Sequence, residues 1–594
     1  ETREKLAKWD NTVRNFYTFV MLEKDASPEN LQAQFPALIE QHFPGDDQSH
    51  LVALHSQELT GVVFGPIMDN QIKFFLPIVV IYVLAGLAAI ILLAACINYV
   101  SLSVARALQR AKEIGMRKVV GALRRQIIVQ FLVEAICISL AALLIAAGFM
   151  LVLIDGFNNL TPIQFTKSQI APNLGDMGLY AIFFAFSLVV GLLSGLYPAL
   201  YLSRFLPAHV FRGGASVKGK GFVLRKTLIV TQFSLSLLFI VSTLLLYQQS
   251  NHVSKTEYGF NEKNILTVPL EKMPYDAFRS ELLRHPGVEN VSAVSILTGS
   301  GARNDTWMQS ETMEDAIKGY SIWSDRHLLE TLEISLIAGQ NFPFGISGET
   351  ESVVLLNETA VTGLQFGSPS EAVGQQITLG KELQVQVIGV VKDYRFFSAM
   401  AEIDPMVLRM DPEGFSVATI RFFPGNYDDV TAHLKATWKQ FEPLEPLEYK
   451  LYEDHLAEAL ELKLMRDFLN IIGLAAGFAV LVACLGLLGM TAYITQTRLK
   501  EIGVRKVLGA TTASVIGLLS KSFIKLIAIS ILLAGPLAWY VNGLWLNSMG
   551  NRIEMSPPVF ILGIILLLVI ALLTIGSQTI KAARTNPVDI LKYE

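Results

Sequence analysis

Lys112-Glu113-Ile114-Gly115-Met116-Arg117-Lys118-Val119-Val120-Gly121-Ala122 returns almost unchanged as Lys500-Glu501-Ile502-Gly503-Val504-Arg505-Lys506-Val507-Leu508-Gly509-Ala510. Only Met116/Val504 and Val120/Leu508 differ between the copies. Each copy follows one long apolar run and precedes another, so each occupies a short basic connection between two candidate membrane helices. The chain reads as a tandem repeat organised around that connection.

Composition agrees with a polytopic membrane protein. The 594 residues are 52% hydrophobic and 17% charged, with a mean hydropathy of +0.44, too apolar for an ordinary soluble chain of this length. The formal net charge of −4 carries little information, because the basic residues cluster in particular loops. Cys96, Cys137 and Cys484 lie in or beside apolar runs, which leaves no cysteine for a disulfide framework outside the membrane. The opening residues ETREKLAKWDNTVRNF have no apolar core of a signal peptide and read as part of a soluble domain.

Runs able to cross a bilayer, which takes roughly 20 residues, fall near 74–100, 126–154, 178–202, 226–248, 468–494, 515–541 and 558–580, seven spans in all. The connection 101–125 carries Arg106, Arg110, Lys112, Arg117, Lys118, Arg124 and Arg125 against a single Glu113, and 203–226 carries six basic residues and no acid. The positive-inside rule makes both cytoplasmic. Alternation then places Arg498–Lys506 and Lys581–Glu594 inside and 1–73, 155–177, 249–467 and 542–557 outside, so every basic loop falls on one side.

Residues 249–467 are long enough for a folded domain of mixed strands and helices. One unit is strand Ile265–Leu270, helix Tyr275–His285, strand Val288–Val294; a second is strand Ser416–Phe422, helix Tyr427–Phe441, strand Leu447–Tyr452. Ser352–Leu356, Gln376–Leu379 and Leu383–Val391 read as strands between them. The expectation is an α+β domain of two small βαβ lobes with a β-rich insertion, joined by a stiff helix over Leu451–Lys463 to the next span.

The repeat extends past the eleven residues. Ser203-Arg204-Phe205-Leu206-Pro207 and Ala583-Arg584-Thr585-Asn586-Pro587 keep Arg and Pro at one spacing after two spans in each copy. The predicted organisation is a C-terminal remnant of a first outer domain (1–73), a first membrane unit of three spans (74–212, loop 101–125), a cytoplasmic linker (213–225), a span (226–248), the outer domain (249–467) and a second membrane unit (468–594, loop 495–514). A tandem of two four-span units, truncated at its N-terminus, accounts for this order.

Read as one helix, the first copy places Met116, Val119, Val120 and Leu123 on one face and Arg106, Arg110, Arg117 and Arg124 on its flank. Glu113 can reach Arg117, and Glu501 Arg505, each pair contributing a few tenths of a kcal/mol. Glycine inside a helix costs about 1 kcal/mol relative to alanine, so its recurrence suggests a bend or the close approach of another backbone. An interfacial basic helix on anionic lipid explains the arginines but not the shared Glu and Gly positions. After the motif the halves diverge: Glu134 aligns with Ser522, and Lys521 and Lys525 occur only in the second half, a difference that snorkelling at a helix end accommodates.

KEIGMRKVVGALRRQIIVQFLVEA and KEIGVRKVLGA resemble the cytoplasmic loop of the MacB/FtsX-like ABC transporter permeases. NETA at Asn357–Ala360, VIGVVKDYRFFS at Val387–Ser398 with Asp404-Pro405 beyond it, and the closing TNPVDILKYE are similar to the outer domain and tail of the eight-span tandem form typical of Bacteroidota. The resemblance covers essentially the whole chain. It implies a permease whose loops bind a separate cytoplasmic ABC ATPase and pass nucleotide-driven motion to the outer domains, with no catalytic residue of its own. The coupling residues it implies are Lys112, Glu113, Ile114, Gly115, Arg117, Lys118 and Gly121, and Lys500, Glu501, Ile502, Gly503, Arg505, Lys506 and Gly509. It further implies no cofactor in this chain, ATP and Mg being bound by the partner ATPase, and a multi-pass location in the bacterial inner membrane with a large periplasmic domain; which activity of the family applies is not implied, and the reading adopted is export or extraction of a substrate. Partners are the ATPase and the bilayer, with a second permease chain or a periplasmic protein left open and no nucleic acid.

Other chemistries find little support. Gly214–Gly221 nearly spells a phosphate loop, but Gly stands where Ser or Thr must ligand Mg²⁺ and no strand precedes it. The nine histidines show no metal-ligand spacing, and no nucleophile-elbow or HExxH pattern occurs. Asp393 and Arg395 read as a charged turn beyond a strand. Gly191/Gly195 and Gly473/Gly477 have the spacing that lets spans pack closely. The rival in the signalling class is a transmembrane regulator that switches a periplasmic hydrolase or sensor without moving a substrate. An ion-coupled carrier would need ionisable groups in mid-membrane, and the runs have almost none.

Overall fold

The computed structural model describes residues 18–23, 26–42, 54–59, 78–109, 111–160, 177–203, 220–270, 273–343, 352–380, 383–497, 504–505 and 507–583. After two short helices, Pro28–Gln32 and Phe35–His42, the membrane part consists of α1 (Ile78–Gln109), α2 (Ala111–Val119), α3 (Arg124–Asn158), α4 (Met177–Leu202) and α5 (Lys220–Ser254). The outer domain follows with α6 (Tyr275–Leu282), α7 (Glu358–Gly363) and α8 (Tyr427–Phe441), and the chain returns to the membrane in α9 (Leu460–Thr497), α10 (Thr512–Leu546) and α11 (Pro557–Ala583). Among the described residues seven helices are long and apolar enough to span, the number expected. Helix is the form that satisfies every backbone N–H and C=O within one segment in lipid. Helix α5 begins at Lys220, and its segment able to span begins at Lys226.

The chain divides into two compact units. The first comprises 1–232, 478–519 and 574–594. Here α3 and α4 lie against each other through the small residues anticipated: a Cβ on Gly195 would stand 2.5 Å from Ala135 Cβ, and one on Gly191 2.9 Å from Ile136 Cα. Ser139 Oγ donates to Ser187 O at 2.8 Å across the same interface. Gly195→Leu is therefore expected to push the two helices apart, at about 1–3 kcal/mol for the overpacking alone, read as a lower detergent-melting midpoint; an unchanged midpoint would refute the contact. Among the described residues the second-half pair does not repeat this role, since Gly473 has only an ordinary 3.7 Å approach to Thr243 and Gly477 meets nothing within 4 Å.

The first unit also holds a seam between α1 and the inner part of α9. A Cβ on Gly486 would be 2.9 Å from Asn98 Oδ1, and one on Gly489 2.0 Å from Leu102 Cδ2. Aligning Lys112 with Lys500 places Asn98 opposite Gly486 in the repeat. The two helices thus approach each other at equivalent positions of the repeat.

The second unit comprises 233–477 and 520–573. Within it α5 packs on α10 and α11: Ser234 Oγ donates to Ser530 O at 3.3 Å, and a Cβ on Gly563 would meet Val241 Cγ2 at 2.9 Å. Its strands are β1 (Ile265–Pro269), β2 (Val288–Val294), β3 (Asp305–Ser310), β4 (Ile317–Trp323), β5 (Leu336–Gly339), β6 (Val353–Asn357), β7 (Gln376–Leu379), β8 (Leu383–Val391), β9 (Met406–Arg409), β10 (Val417–Phe422) and β11 (Lys450–Leu451).

Two separate βαβ lobes were expected; the structure has one sheet, ordered β11-β1-β10-β2 with every pairing antiparallel. Each unit accepts a strand of the other between its own two. A two-stranded lobe would leave its helix with too little sheet to cover, whereas interleaving seats α6 and α8 together on four strands. Phe278 and Leu282 of α6 and Val430, Leu434 and Trp438 of α8 share that core with Val268, Val291 and Ile420. The expected last strand shrinks to Lys450–Leu451, because Tyr452 turns inward, fully buried, and donates its hydroxyl to Thr298 O at 2.7 Å.

The β-rich insertion is larger than the three strands anticipated. Its order is β5-β8-β6-β9-β4-β3-β7, and β7 also pairs with β8, so the strands close into a ring with β5 appended. The long β8 makes this possible: Leu383–Gln386 pair with β7 and Gly389–Val391 with β5 on one edge, while β6 occupies the other. Pairing of this kind leaves few free edges.

The helix expected to run unbroken over Leu451–Lys463 is interrupted. Tyr452–Ala457 ends in a turn, and α9 starts afresh at Leu460. Tyr452 and Leu456 belong to the outer-domain core while Met465 joins an apolar cluster at the outer ends of the spans, and a straight helix could not serve both. Glu458 at the break is held by Lys450 at 2.5 Å and Lys463 at 3.6 Å.

One buried acid makes the domain's stability depend on pH. Asp325 accepts the Tyr275 hydroxyl and the His327 N–H, and burial pushes its pKa up to about 7. Its folded value therefore lies above the unfolded one near 3.8, so the folded state binds the proton more tightly. The domain is expected to lose stability as pH rises from the ordinary carboxylate range to about 7, and to change no further through this group above that. Denaturation midpoints at pH 5 and pH 8, compared with those of Asp325→Asn, check this: the pH difference should shrink in the variant.

Candidate functional site

The repeated motif forms a short helix with a sharp end. Ala111–Val119 is helical and includes Lys112, Glu113 and Gly115. It does not continue through Leu123 as one helix, because Gly121 adopts φ +99° and ends it. Gly121 N–H donates to Lys118 O and Ala122 N–H to Arg117 O, the two bonds of a Schellman cap. Leu123 then starts α3, its N–H bonded to Gln126 Oε1 at 2.9 Å. Of the two explanations open for this glycine the backbone turn favours the bend: among the described residues no atom lies within 4 Å of a Cβ built on Gly121.

Two charged residues of the motif, Arg117 and Lys118, bond to neighbouring helices. Lys118 Nζ donates to Ser203 O at 2.7 Å, and Arg124 Nε donates to Ser203 Oγ at 3.2 Å, tying the loop to the inner end of α4. Desolvation, then the neighbouring Arg124 charge, holds the Lys118 pKa below its usual value. Arg117 Nη1 donates to Gln130 Oε1 at 2.9 Å on α3. Ile114 is buried. These residues set the loop in place. Met116, Val119, Val120 and Leu123 are all exposed, Val120 by 83%, beside the exposed Arg117, Arg124 and Arg125.

The second copy repeats the cap where it is described. Val504–Arg505 and Val507 are helical, Gly509 has φ +91°, Leu508 N–H donates to Val504 O and Ala510 N–H to Arg505 O. Val504, Val507 and Leu508 are exposed, Leu508 by 80%. Lys500, Glu501, Ile502, Gly503 and Lys506 lie outside the described residues, as do the tail motif 585–594 and its first-half counterpart 204–212. Two loops thus present apolar tips at matching positions. The sequence signal for them was the amphipathic face, which the charged-residue set passed over. Glu134, Lys521 and Lys525 are exposed on α3 and α10, in keeping with snorkelling.

The outer-domain motifs meet one another. Asn357 caps α7, its Oδ1 accepting from Ala360 N and Met406 N at 2.9 Å each and its Nδ2 donating to Asp404 O at 3.0 Å. Asp393 accepts from Thr359 N at 3.0 Å and Thr359 Oγ1 at 2.7 Å, while its own N–H donates to Glu358 Oε2. NETA, VKDY and Asp404-Pro405 are therefore one clasp across the ends of β6, β8 and β9. Tyr394 beneath it is fully buried, and burial drives its phenol pKa above the usual range. Among the described residues no cluster of three or more His, Cys, Asp or Glu could hold a metal.

Two copies of helix, basic loop and two helices, with an α+β domain inserted before the second, define a polytopic membrane protein with one folded domain outside the bilayer. The family model for the FtsX-like permease C-terminal region matches 72–207 and again 473–587, and that for the MacB-like periplasmic core domain matches 228–437. The chain belongs to the MacB/FtsX-like permeases, and its outer domain is periplasmic. It is 33% identical over 129 residues to the macrolide export ATP-binding/permease protein MacB of Bdellovibrio bacteriovorus, covering 22% of this chain and 19% of that protein. The Brucella abortus protein of the same name is 32% identical over 125 residues, 21% and 18% of the two chains. The matches thus span about a fifth of those relatives. Among solved structures, the periplasmic region of MacB from Actinobacillus actinomycetemcomitans matches at 11% identity over 35% of this chain and 97% of its own, with a TM-score of 0.25. The extracellular domain of the noncanonic ABC-type transporter YknZ from Gram-positive bacteria matches at 13% identity over 31% and 98%, with a TM-score of 0.23.

Proposed function

We propose that this chain is the permease subunit of an ABC transporter in a bacterial inner membrane, which couples ATP hydrolysis by a separate cytoplasmic ATPase to motion of the periplasmic domain for export or extraction of a substrate. The observation that carries this reading is the pair of apolar loop tips. Exposed Val120 and Leu508 stand at the same position of two like-shaped loops, each beside basic residues on the inner side of the membrane. Apolar groups exposed on a capped turn gain most from burial against a protein partner. ATP and Mg²⁺ are assigned to the partner, and no residue of this chain is given a catalytic role. The seam between α1 and α9 supports a further point, that one chain supplies both membrane halves and so offers two ATPase-binding loops.

The test is affinity purification of the complete protein from its own membranes, with mass spectrometry of what accompanies it. A stoichiometric ATPase with a phosphate-loop motif is expected. Its reproducible absence from folded, inserted protein would end the coupling reading.

A further inference from the structure

At the outer face of the second unit, the turn between α10 and α11 is bound to the periplasmic domain by a hub of hydrogen bonds. Asn551 N–H donates to Met400 O at 3.0 Å, and Asn551 Nδ2 donates both to Ala399 O at 2.7 Å and to Thr256 Oγ1 at 2.9 Å. With the amide so oriented, Asn551 Oδ1 accepts from His252 Nε2 at 3.0 Å. Gln249, fully buried near the end of α5, clamps the same turn from the membrane side: its Nε2 donates to Asn551 O at 2.7 Å and its Oε1 accepts from Ile553 N at 2.8 Å. Beside it, a Cβ on Gly550 would be 2.4 Å from Glu402 N, so the two backbones touch. Met400, Met465, Phe468, Trp545 and Met549 belong to the apolar cluster around the hub.

Neither end of this arrangement is idle. Segment 398–402 continues directly from the Asp393–Tyr394 clasp, and Arg395 Nη1 donates to Ala401 O, so the held segment is braced to the ring of strands. Chain connectivity already joins the domain to α5 and to α9, the latter through the break at Glu458–Ala459. The hub adds α10 and α11, which have no covalent link to it. One asparagine uses both side-chain amide hydrogens, its side-chain oxygen and both backbone groups on partners drawn from three parts of the fold. Such a group is costly to leave half satisfied.

We propose that Asn551 is a positioning residue, the pin through which motion of α10 and α11 reaches the periplasmic domain, with segment 398–402 as its receiving arm. The inference rests on the reading of the chain as an ATP-driven permease and assigns the outward step to one residue. Asn551→Ala removes the side-chain bonds of the pin. Gly550→Ala removes none but drives a methyl group into the Glu402 backbone, so the two variants open the same joint by different means.

Hydrogen–deuterium exchange of the full chain in lipid nanodiscs with its copurified ATPase, with and without ATP and vanadate, decides the matter. In both variants the amides of 399–402 are expected to exchange about tenfold faster or more, as local opening becomes easier, while β8 and β9 exchange as before. ATP turnover should persist, yet the nucleotide-dependent change in exchange across the periplasmic domain should be lost. A purely structural asparagine would produce the first effect and not the last. A periplasmic response of unmodified size in the variants overturns the proposal, and so does unaltered exchange at 399–402, a comparison that needs neither nucleotide nor ATPase. Failure of the ATPase to copurify would strike the reading of the loops and leave that comparison to judge the pin.

Discussion

Changing Val120 and Leu508 together to aspartate is expected to abolish copurification of the cytoplasmic ATPase while the permease still inserts. Both side chains stand more than three-quarters exposed on capped turns. Burying such a side chain in an interface is worth roughly 1.5–3 kcal/mol, and the carboxylate adds a desolvation penalty in place of that gain. Each substitution should therefore weaken attachment by about tenfold to a hundredfold, the two acting on separate loops. Because neither side chain supports the fold, membrane insertion and the periplasmic melting midpoint should be unchanged. Pull-down of the ATPase from membranes of the double variant and of each single variant measures this. Full retention in the double variant would show that the apolar tips do not form the interface. Glu113→Lys with Glu501→Lys should also weaken attachment, by less, since a charge pair in high dielectric contributes little once screened by salt.

Asn357→Ala should damage the periplasmic domain more than any surface change. Asn357 is fully buried, and its side chain satisfies the N–H groups of Ala360 and Met406 and the carbonyl of Asp404. Removing it strands buried polar backbone at about 1–3 kcal/mol for each group left unpaired, and also removes a helix cap. A loss on the order of 3–5 kcal/mol is expected, a large share of a typical domain's stability. Pulse proteolysis of the full chain in urea reads it as a lower midpoint for cleavage within 265–452. Asn357→Asp keeps the accepting oxygen and should lose less. Equal midpoints for the alanine variant and the unmodified chain would mean that the clasp does not hold the domain together.

Both experiments depend on features that differ in how far the sequence reveals them. The span count, the sidedness of the loops and the place of the repeated motif follow from apolar length and from the distribution of Lys and Arg, properties of short windows that lipid and membrane potential read directly. The strand Leu383–Val391, by its β-branched content and alternation, and the amphipathic helix Tyr427–Phe441 are legible for the same reason. The exposed loop tips were visible as an apolar face, although attention to charge passed over them.

What escaped depends on neighbours far away in the chain. Asp305–Ser310 is polar and Met406–Arg409 is short, and each becomes a strand only because partners from elsewhere close the ring beside it. The interleaving of two βαβ units, the approach of α1 to α9 where Asn98 meets Gly486, and the grip of Asn551 on Ala399 are likewise invisible to any local window. The sequence by itself determined which segments enter the membrane and which loops carry positive charge, because solvent acts on each segment separately. Only the tertiary structure decided which strands share an edge and where the spans grip the outer domain, because a buried hydrogen bond is stable only once both partners have been brought together and shielded from water.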